Sequence, residues 1–323
     1  MNSASKFAKT LSYSSSSSGS DKPETRILIG DGALGTELMK SDRKNINSPL
    51  EFNLHAPSEV RRIHRRYLNA GCRLINTNTF CANSLYLEKQ GLAEKVGEIN
   101  LRGAGLAEEA RADYKAYQQK DKEIIITGSV GPTGSETAIF LDEQENRKKV
   151  QKTFLEQIKY LKRGGVDIIT LETFSYHREL KLAAEAAEEA DMPYFMNMTM
   201  TDPEKTEYGS TIEDLADIAE DADEEKLLAV GLNCLTPDQK FRTAWRSLAN
   251  QLDFNLPIAL LYNAGAPELD TDQGKMIYPQ DEGFFEEYQE FISFMKGYDC
   301  IIGGCCGTTP ETIEKLKDLF KTS

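Results

Sequence analysis

Basic side chains are in short supply in this sequence of 323 residues. Its 38 Lys and Arg residues face 52 Asp and Glu residues, which gives a net charge of −14. A protein that binds nucleic acid needs clustered Lys and Arg to neutralise phosphates, and a protein that binds anionic membrane surfaces needs the same. We therefore expect neither kind of partner, and we interpret the acidic balance as a solubilising surface.

Long apolar runs are missing as well. The most apolar segments, such as Ile124–Ile126 and Pro257–Leu261, have the length of a strand and fall far short of the ~20 residues that a membrane-spanning helix needs. Residues 1–24 are polar and rich in serine, and they lack the apolar core of a secretory signal. We predict a disordered tail and a cytoplasmic protein, with a transit peptide as the alternative because Lys6 and Lys9 are basic.

What the sequence does contain is an alternation of short apolar segments and amphipathic helical patterns. Segments rich in Ile, Leu and Val without strict alternation are typical of strands that are buried on both faces. Eight such strands are predicted, at Arg26–Gly30, Arg73–Asn76, Glu123–Gly128, Asp167–Leu171, Pro193–Met198, Leu228–Leu232, Pro257–Leu261 and Cys300–Gly303. Amphipathic helices are predicted between them, among others at Ser58–Ala70, Arg147–Arg163 and Thr309–Phe320. Eight βα units predict a single (β/α)8 TIM barrel over residues 25–323, with a doubly wound open sheet as the rival fold.

The cysteines form the sharpest pattern in the chain. Six cysteines without a secretory signal predict free thiols in a reducing compartment. Cys305 and Cys306 are adjacent and lie between glycines, which let both sulfurs face one point, and Cys234 follows a strand two positions away around the barrel. Three thiolates suit Zn²⁺ and leave its fourth position open. We predict a zinc site at Cys234, Cys305 and Cys306, and packing or loop roles for Cys72, Cys81 and Cys300.

The charge of such a site indicates its chemistry. Zinc with three thiolates carries one excess negative charge, and a substrate thiol in the fourth position would lose its proton and add another. The excess charge keeps the bound sulfur nucleophilic, whereas a hydrolytic zinc site prefers neutral histidine ligands. Histidine is scarce here, and we expect structural roles for His55 and His64 and a position near the rim for His177. The pattern favours alkylation of a thiol.

Three further segments at predicted strand ends can bind the rest of such a substrate. The Gly-rich turn after the first strand offers backbone N–H groups to a carboxylate; it comprises Asp31, Gly32, Ala33, Gly35 and Thr36. Glu172 can hold an ammonium group, and Asn263 can bond the substrate or cap the open metal position. A plain βα turn, a structural ion pair and a turn residue are the respective alternatives. Carboxylate, ammonium and thiol together describe a thiol amino acid.

Taken in order, these segments resemble the zinc-dependent homocysteine S-methyltransferase family, which includes the homocysteine-binding domain of cobalamin-dependent methionine synthase and betaine–homocysteine methyltransferase. The matching stretches are Asp31-Gly-Ala-Leu-Gly-Thr36, Thr77-Asn-Thr-Phe80, Gly128-Ser-Val-Gly-Pro132, Glu172-Thr-Phe174, Gly231-Leu-Asn-Cys234, Asn263-Ala-Gly265 and Gly303-Gly-Cys-Cys-Gly307. The resemblance implies a barrel that transfers a methyl group to homocysteine to give methionine. It also implies zinc on the three cysteines, and Glu172 with the Asp31–Thr36 turn gripping the amino acid group.

The methyl donor is left open at this point. Tyr176 stands where the family often has Asp, and Tyr262 stands where it often has Pro; both positions are expected at the rim. A betaine donor would need aromatic faces around its ammonium, but the single Trp, Trp245, falls in a predicted helix, which leaves Tyr86, Tyr176 and Tyr262. No Asp-x-His-x-x-Gly cobalamin motif occurs.

The remaining donors are S-methylmethionine, S-adenosylmethionine and a separate methyl-corrinoid protein. In the last case the chain would be one subunit of a larger system. A zinc- or thiol-binding sensor or scaffold without catalysis is an alternative of another class.

Overall fold

The computed structural model describes residues 3–11, 25–41, 43, 46–118, 123–134, 136–252, 256–271 and 275–321. Its strands there are β1 (Ile27–Ile29), β2 (Leu74–Asn76), β3 (Ile125–Val130), β4 (Ile168–Phe174), β5 (Tyr194–Met198), β6 (Leu227–Leu235), β7 (Ile258–Tyr262), β8 (Glu268–Asp270), β9 (Lys275–Ile277) and β10 (Cys300–Gly304). Its α-helices are α1 (Ser3–Thr10), α2 (Leu34–Leu38), α3 (Phe52–His55), α4 (Pro57–Ala70), α5 (Ser84–Lys89), α6 (Val96–Gln118), α7 (Gln144–Arg163), α8 (His177–Glu189), α9 (Ile212–Asp221), α10 (Arg242–Gln251), α11 (Phe284–Phe294) and α12 (Pro310–Lys321).

Eight of these strands form one parallel sheet in the order β1-β10-β7-β6-β5-β4-β3-β2. A parallel bridge between Gly30 and Leu74 joins β1 to β2, the two ends of that order. The sheet is thereby closed, which confirms the (β/α)8 barrel and excludes the open sheet. The hairpin of β8 and β9 lies outside the barrel sheet, in the long loop after β7, and the sequence patterns did not predict it.

Two strands run further than their apolar patterns suggest. The predictions end β4 at Leu171 and β6 at Leu232, whereas the structure continues both strands through irregularities in their pairing, between Leu171 and Phe174 and between Asn233 and Leu235. Each irregularity contains a non-glycine residue with positive φ, Thr173 at 63° and Cys234 at 59°. Apolar periodicity does not extend into a bulge, because the extra residue breaks the alternation of side chains.

The helices lie around the barrel and bury one face each. In α4, which the sequence predicts as an amphipathic helix, Val60, Ile63, Tyr67 and Leu68 are all buried. Pro57 opens this helix and Gly71 ends it with a φ of 110°, a left-handed conformation that glycine adopts without strain. No α-helix within the described ranges has both the length and the apolar character required to cross a membrane.

The amino-terminal end of the barrel is closed by α1. One apolar side chain from each barrel strand forms a layer there, which comprises Leu28, Leu74, Ile125, Ile168, Phe195, Ala229, Ala259 and Ile301. Phe7 and Leu11 pack into this layer and are only 3% exposed. Lys6 adds an ion pair, with its Nζ 2.7 Å from the Asp167 carboxylate.

The helix α1 falls within residues 1–24, which we expected to be disordered, so that expectation is corrected for Ser3–Thr10. The physical reason is the open apolar layer, because a short amphipathic segment that covers it removes Phe7 and Leu11 from water. Nothing in the polar composition of the segment indicates this. Residues 12–24 lie outside the described residues.

Truncation of Phe7 tests the closure of the barrel. We expect Phe7→Ala to lower the free energy of unfolding by about 3 kcal/mol, because it removes a buried aromatic ring. Denaturant unfolding measures this, with Ala8→Ser on the exposed side of the same helix as a control within about 0.5 kcal/mol of the wild type. Equal stabilities of Phe7→Ala and the wild type would show that α1 does not contribute to the fold.

His64 generates a prediction about pH. It is fully buried in α4, neither ring nitrogen has a hydrogen-bond partner among the described residues, and burial lowers its pKa to about 4. The unfolded chain, with a pKa near 6.5, therefore binds more protons between those values, so stability falls as the pH falls through that window. Between pH 7.5 and 5, the wild type should lose about 2 kcal/mol more than His64→Leu. Parallel unfolding curves at both pH values measure the difference, and identical losses would contradict the assignment.

Candidate metal and substrate site

A cavity of about 890 Å³ opens at the carboxyl ends of the barrel strands. Its floor is polar and includes Asn76, Ser129, Glu172 and the cysteines. Its upper wall is largely apolar and is built by loops and by the hairpin, with Met39, Pro49, Leu50, Phe80, Tyr86, Met276 and Ile277. The cavity therefore has a reactive floor and room above it.

Three thiols converge on this floor. The Sγ atoms of Cys234, Cys305 and Cys306 all lie within 4.8 Å of one another, and the Cys234 and Cys306 sulfurs are 3.9 Å apart. They reach this arrangement from the bulge at the end of β6 and from the turn after β10. The structure thus brings together the three cysteines that the sequence pattern singled out.

Close backbone contacts fix the turn that carries Cys305 and Cys306. The Cys305 N–H donates to the Tyr262 carbonyl at 2.8 Å, and the Ala264 N–H donates to the Cys306 carbonyl at 2.8 Å. Gly304 packs on Thr308 so closely that a Cβ there would lie 2.2 Å from the Thr308 Oγ1. The glycine before the cysteine pair is needed for this approach.

The thiols share one another's protons. Cys234 and Cys305 donate hydrogen bonds to the Cys306 sulfur, which holds the pKa of Cys306 well below its usual range. The same contacts, together with burial, raise the pKa of Cys305. The Tyr278 hydroxyl also donates to Cys306. The cluster therefore concentrates negative charge at Cys306.

Two carboxylates belong to this region, Glu172 half-buried in the cavity floor and Asp31 buried behind it. Burial raises the pKa of Glu172 to about 7, although the Ser129 hydroxyl donates a hydrogen bond to it, and the charge of Cys306 adds to the rise. Burial also raises the pKa of Asp31 to about 8, against hydrogen bonds from the backbone and side-chain N–H groups of Asn76 at 2.9 Å. Within the described parts of the chain, no lysine or arginine forms an ion pair with either group.

The turn after β1 lies against the same floor. Gly32, Ala33, Gly35 and Thr36 line the cavity, while the Asp31 side chain is 1% exposed and lies behind them. The Ala33 N–H donates to the Thr308 Oγ1 at 3.1 Å, and the Thr36 hydroxyl accepts from the Gly307 N–H at 3.1 Å. The turn is thus tied to the cysteine turn, and one of its N–H groups is already engaged.

Asn263 lies next to the thiols without lining the cavity. Its Nδ2 donates to the Cys234 carbonyl at 3.1 Å, and its buried Oδ1 has no hydrogen-bond partner among the described residues. An unpaired buried oxygen beside three thiols is what a metal or a substrate would satisfy.

Several functional positions escaped the sequence analysis. Asn76 ends β2 and Ser129 lies near the end of β3, but nothing in the pattern assigned them to the carboxylates. Tyr278 follows the unpredicted hairpin, so no strand-end argument could reach it. Cys81, for which a packing or loop role was expected, lines the cavity from the loop after β2.

The two tyrosines that depart from the family pattern do not form a donor cage. Tyr262, expected at the rim, is fully buried behind β7, with its ring centre 5.3 Å from that of Tyr288. Its side chain points out of the barrel because it alternates with Leu261 along the strand. Tyr176 packs against Tyr208 instead of lining the cavity, whereas Tyr86 does line it.

Comparison with known proteins identifies the family of the chain. The sequence model of the homocysteine S-methyltransferase family matches residues 28–320. The methionine synthase of Mycobacterium leprae is 29% identical over 309 residues, which cover 90% of this chain and 24% of that protein. The selenocysteine methyltransferase of Astragalus bisulcatus is 29% identical over 328 residues, which cover 92% of this chain and 93% of that protein. The chain thus spans about a quarter of the methionine synthase and nearly all of the selenocysteine methyltransferase.

A solved structure shares the fold. The homocysteine methyltransferase MmuM from Escherichia coli, in its metallated form, superposes with a TM-score of 0.72 at 24% identity and covers 90% of this chain and 96% of MmuM. The chain belongs to the homocysteine S-methyltransferase family, as its motifs predicted.

Proposed function

We propose that the protein transfers a methyl group to the sulfur of homocysteine, on zinc held by Cys234, Cys305 and Cys306. The observation that carries the proposal is the convergence of three thiols within 4.8 Å in a cavity floor that also holds Glu172, with which no lysine or arginine of the described residues forms an ion pair. A small molecule that carries both a thiol and an ammonium group matches this floor. Its thiol can bind the zinc on the cysteines, and its ammonium group can pair with the carboxylate. Homocysteine carries them a few bonds apart.

The residues present fit zinc. Tetrahedral coordination with Zn–S bonds of about 2.3 Å places sulfur atoms about 3.8 Å apart, and Cys234 and Cys306 are 3.9 Å apart. The unpaired Asn263 Oδ1 offers an oxygen beside the cluster. Bound there, zinc would lower the pKa of a substrate thiol and keep its sulfur nucleophilic. That the related MmuM has been obtained in a metallated form also supports the proposal.

The protein's own groups then orient the substrate. Glu172 receives the ammonium group, with Asp31 behind it, since a nearby cation favours the ionised form of both buried carboxylates. The turn of Gly32, Ala33, Gly35 and Thr36 faces the substrate carboxylate. In the transfer, a bond forms between the homocysteine sulfur and the methyl carbon, the bond from that carbon to the donor breaks, and the thiol proton leaves to solvent.

The same cavity has room for a small sulfonium donor, and we propose S-methylmethionine in that role. Its volume of about 890 Å³ lies near the upper end of the range for a drug-sized ligand and leaves space above a thiol amino acid. Phe80, Tyr86 and Tyr278 line that space, and aromatic faces attract a cationic centre.

A specific observation favours a second candidate, a methyl-corrinoid protein as donor. Large apolar side chains are exposed in the segments that follow β3, β5 and β7, on the carboxyl-end side of the barrel, namely Ile139, Phe140, Tyr208, Leu269 and Met276. Exposed apolar surface of this kind marks a docking face. A carrier protein seated there would present its methyl group to the same floor.

The metal assignment makes a prediction about single cysteines. We expect zinc to bind the wild type, and Cys306→Ala to weaken that binding by more than the roughly 10–100-fold that follows loss of an outer-shell partner. Cys300→Ala is the matched control, because Cys300 is the first residue of β10 and is buried in the hydrophobic core, apart from the three thiols. Chelator competition measures the Kd. Retention of wild-type affinity in Cys306→Ala, or an equal loss in Cys300→Ala, would refute the site.

The donor assignment makes a second prediction. The zinc-loaded protein should form methionine from homocysteine and S-methylmethionine without an added carrier, as measured by mass spectrometry. Homoserine, in which a hydroxyl replaces the thiol, should remain unmethylated. Methyl transfer from S-adenosylmethionine but not from S-methylmethionine would show that S-adenosylmethionine is the donor. Transfer only from a methylated corrinoid protein would favour the second candidate. Failure of every donor, with no proton released on adding homocysteine, would leave a sensor or scaffold.

A further inference from the structure

Two bulges hold the groups on which the proposed reaction depends. Thr173 follows Glu172 in the bulge of β4, and Cys234 lies in the bulge of β6; their φ angles are 63° and 59°. Residues other than glycine are strained in this left-handed region, and a β-branched residue such as threonine is an outlier there. Strain of this kind persists only where the surroundings hold the backbone in place.

Asn233 holds both bulges at once. The Thr173 N–H donates to the Asn233 Oδ1 at 2.8 Å, and the Asn233 Nδ2 donates to the Thr173 Oγ1 at 2.8 Å. In the barrel, β5 separates β4 from β6, so this pair of hydrogen bonds spans the end of β5. Asn233 is fully buried, whereas Thr173 is half-buried and lines the cavity.

We propose that Asn233 and Thr173 are positioning residues that keep Glu172 and Cys234 in mutual register, an arrangement we call the strand-end clamp. The inference rests on the proposed function, in which Cys234 is a zinc ligand and Glu172 binds the substrate ammonium. Asn233 precedes the ligand directly and Thr173 follows the carboxylate directly, so the clamp fixes one backbone unit on each side of the site. Loss of its bonds releases the strain, and both backbones turn toward ordinary strand geometry.

The clamp therefore couples two binding events. When the backbone at Cys234 relaxes, the Cys234 side chain moves away from Cys305 and Cys306. The Glu172 side chain is displaced together with Thr173. Asn263 also bonds the Cys234 carbonyl at 3.1 Å, so relaxation is partial and the metal affinity falls without vanishing. A residue that serves stability alone would lower the unfolding temperature of the metal-free protein and leave zinc affinity unchanged.

The experiment measures the zinc Kd of folded protein by competition with a chelator. Asn233→Leu, which removes both clamp bonds, should weaken zinc binding roughly tenfold or more, the scale of an outer-shell loss. Thr173→Val, which keeps the shape and removes the hydroxyl, should also weaken zinc binding. Thr173→Ser, which keeps the hydroxyl, should bind zinc with the affinity of the wild type. Circular dichroism of the metal-free variants confirms that each is folded, and Thr173→Val decides the question if Asn233→Leu does not fold.

A matched control lies one layer deeper in the same strand. The Thr170 hydroxyl forms a buried hydrogen bond with the Thr127 hydroxyl, away from the bulge. Thr170→Val removes a buried hydroxyl of the same kind and should leave the zinc Kd within about twofold of the wild type, since it does not touch the groups around the metal.

The second readout is the response to homocysteine at saturating zinc. The clamp predicts that Thr173→Val raises the KM for homocysteine as well, because Glu172 is displaced together with the metal ligand, and that Thr173→Ser does not. Wild-type zinc affinity in folded Asn233→Leu or Thr173→Val, or an equal loss in Thr170→Val, would overturn the clamp while the proposed function stood. A wild type that bound no zinc would overturn the proposed function and the clamp with it.

Discussion

The structure of the site depends on one electrostatic constraint, the proximity of five acidic groups at a single floor. Three thiols and the Glu172 carboxylate line this floor, the Asp31 carboxylate is buried behind it, and no lysine or arginine is paired with either carboxylate in the described part of the chain. In a low-dielectric interior these groups cannot all ionise, so the thiols share protons and the carboxylate pKa values rise. In the proposed function, zinc and the ammonium group of the substrate supply the two cations that offset this charge.

That constraint explains why the surrounding scaffold is so closely tied. Like charges repel, so the turns that carry them must be held by contacts that do not depend on charge. Thr308 provides one such contact, because it bonds the Ala33 N–H on one side and packs against Gly304 on the other. The closed barrel and the layer sealed by α1 provide the rest, since a rigid core resists the repulsion at its upper end. The strand ends that carry the site are therefore held at fixed distances from one another.

The sequence predicts the parts of this arrangement that arise from regular periodicity and from rare residue types. Eight apolar segments predict the barrel, and an adjacent cysteine pair with a third cysteine at a strand end predicts the metal ligands. The sequence did not predict α1, because its two apolar residues have meaning only beside the open layer that they cover. It did not place Tyr262 correctly either, since its orientation depends on a strand alternation that one residue would invert.

The positions where strand prediction fails are those that the site requires to be irregular. Apolar patterning ends β4 at Leu171 and β6 at Leu232, yet both strands continue through bulges that contain Thr173 and Cys234. A regular strand would send consecutive side chains to opposite faces, and it could not aim Glu172 and Cys234 into one cavity while Thr173 and Asn233 bond each other across β5. Each bulge meets this geometric requirement but strains the backbone, and the hydrogen bonds of the buried Asn233 offset that strain. The structure therefore departs from regular strand patterns at the positions where a side chain of the site must point in a direction that a regular strand does not allow.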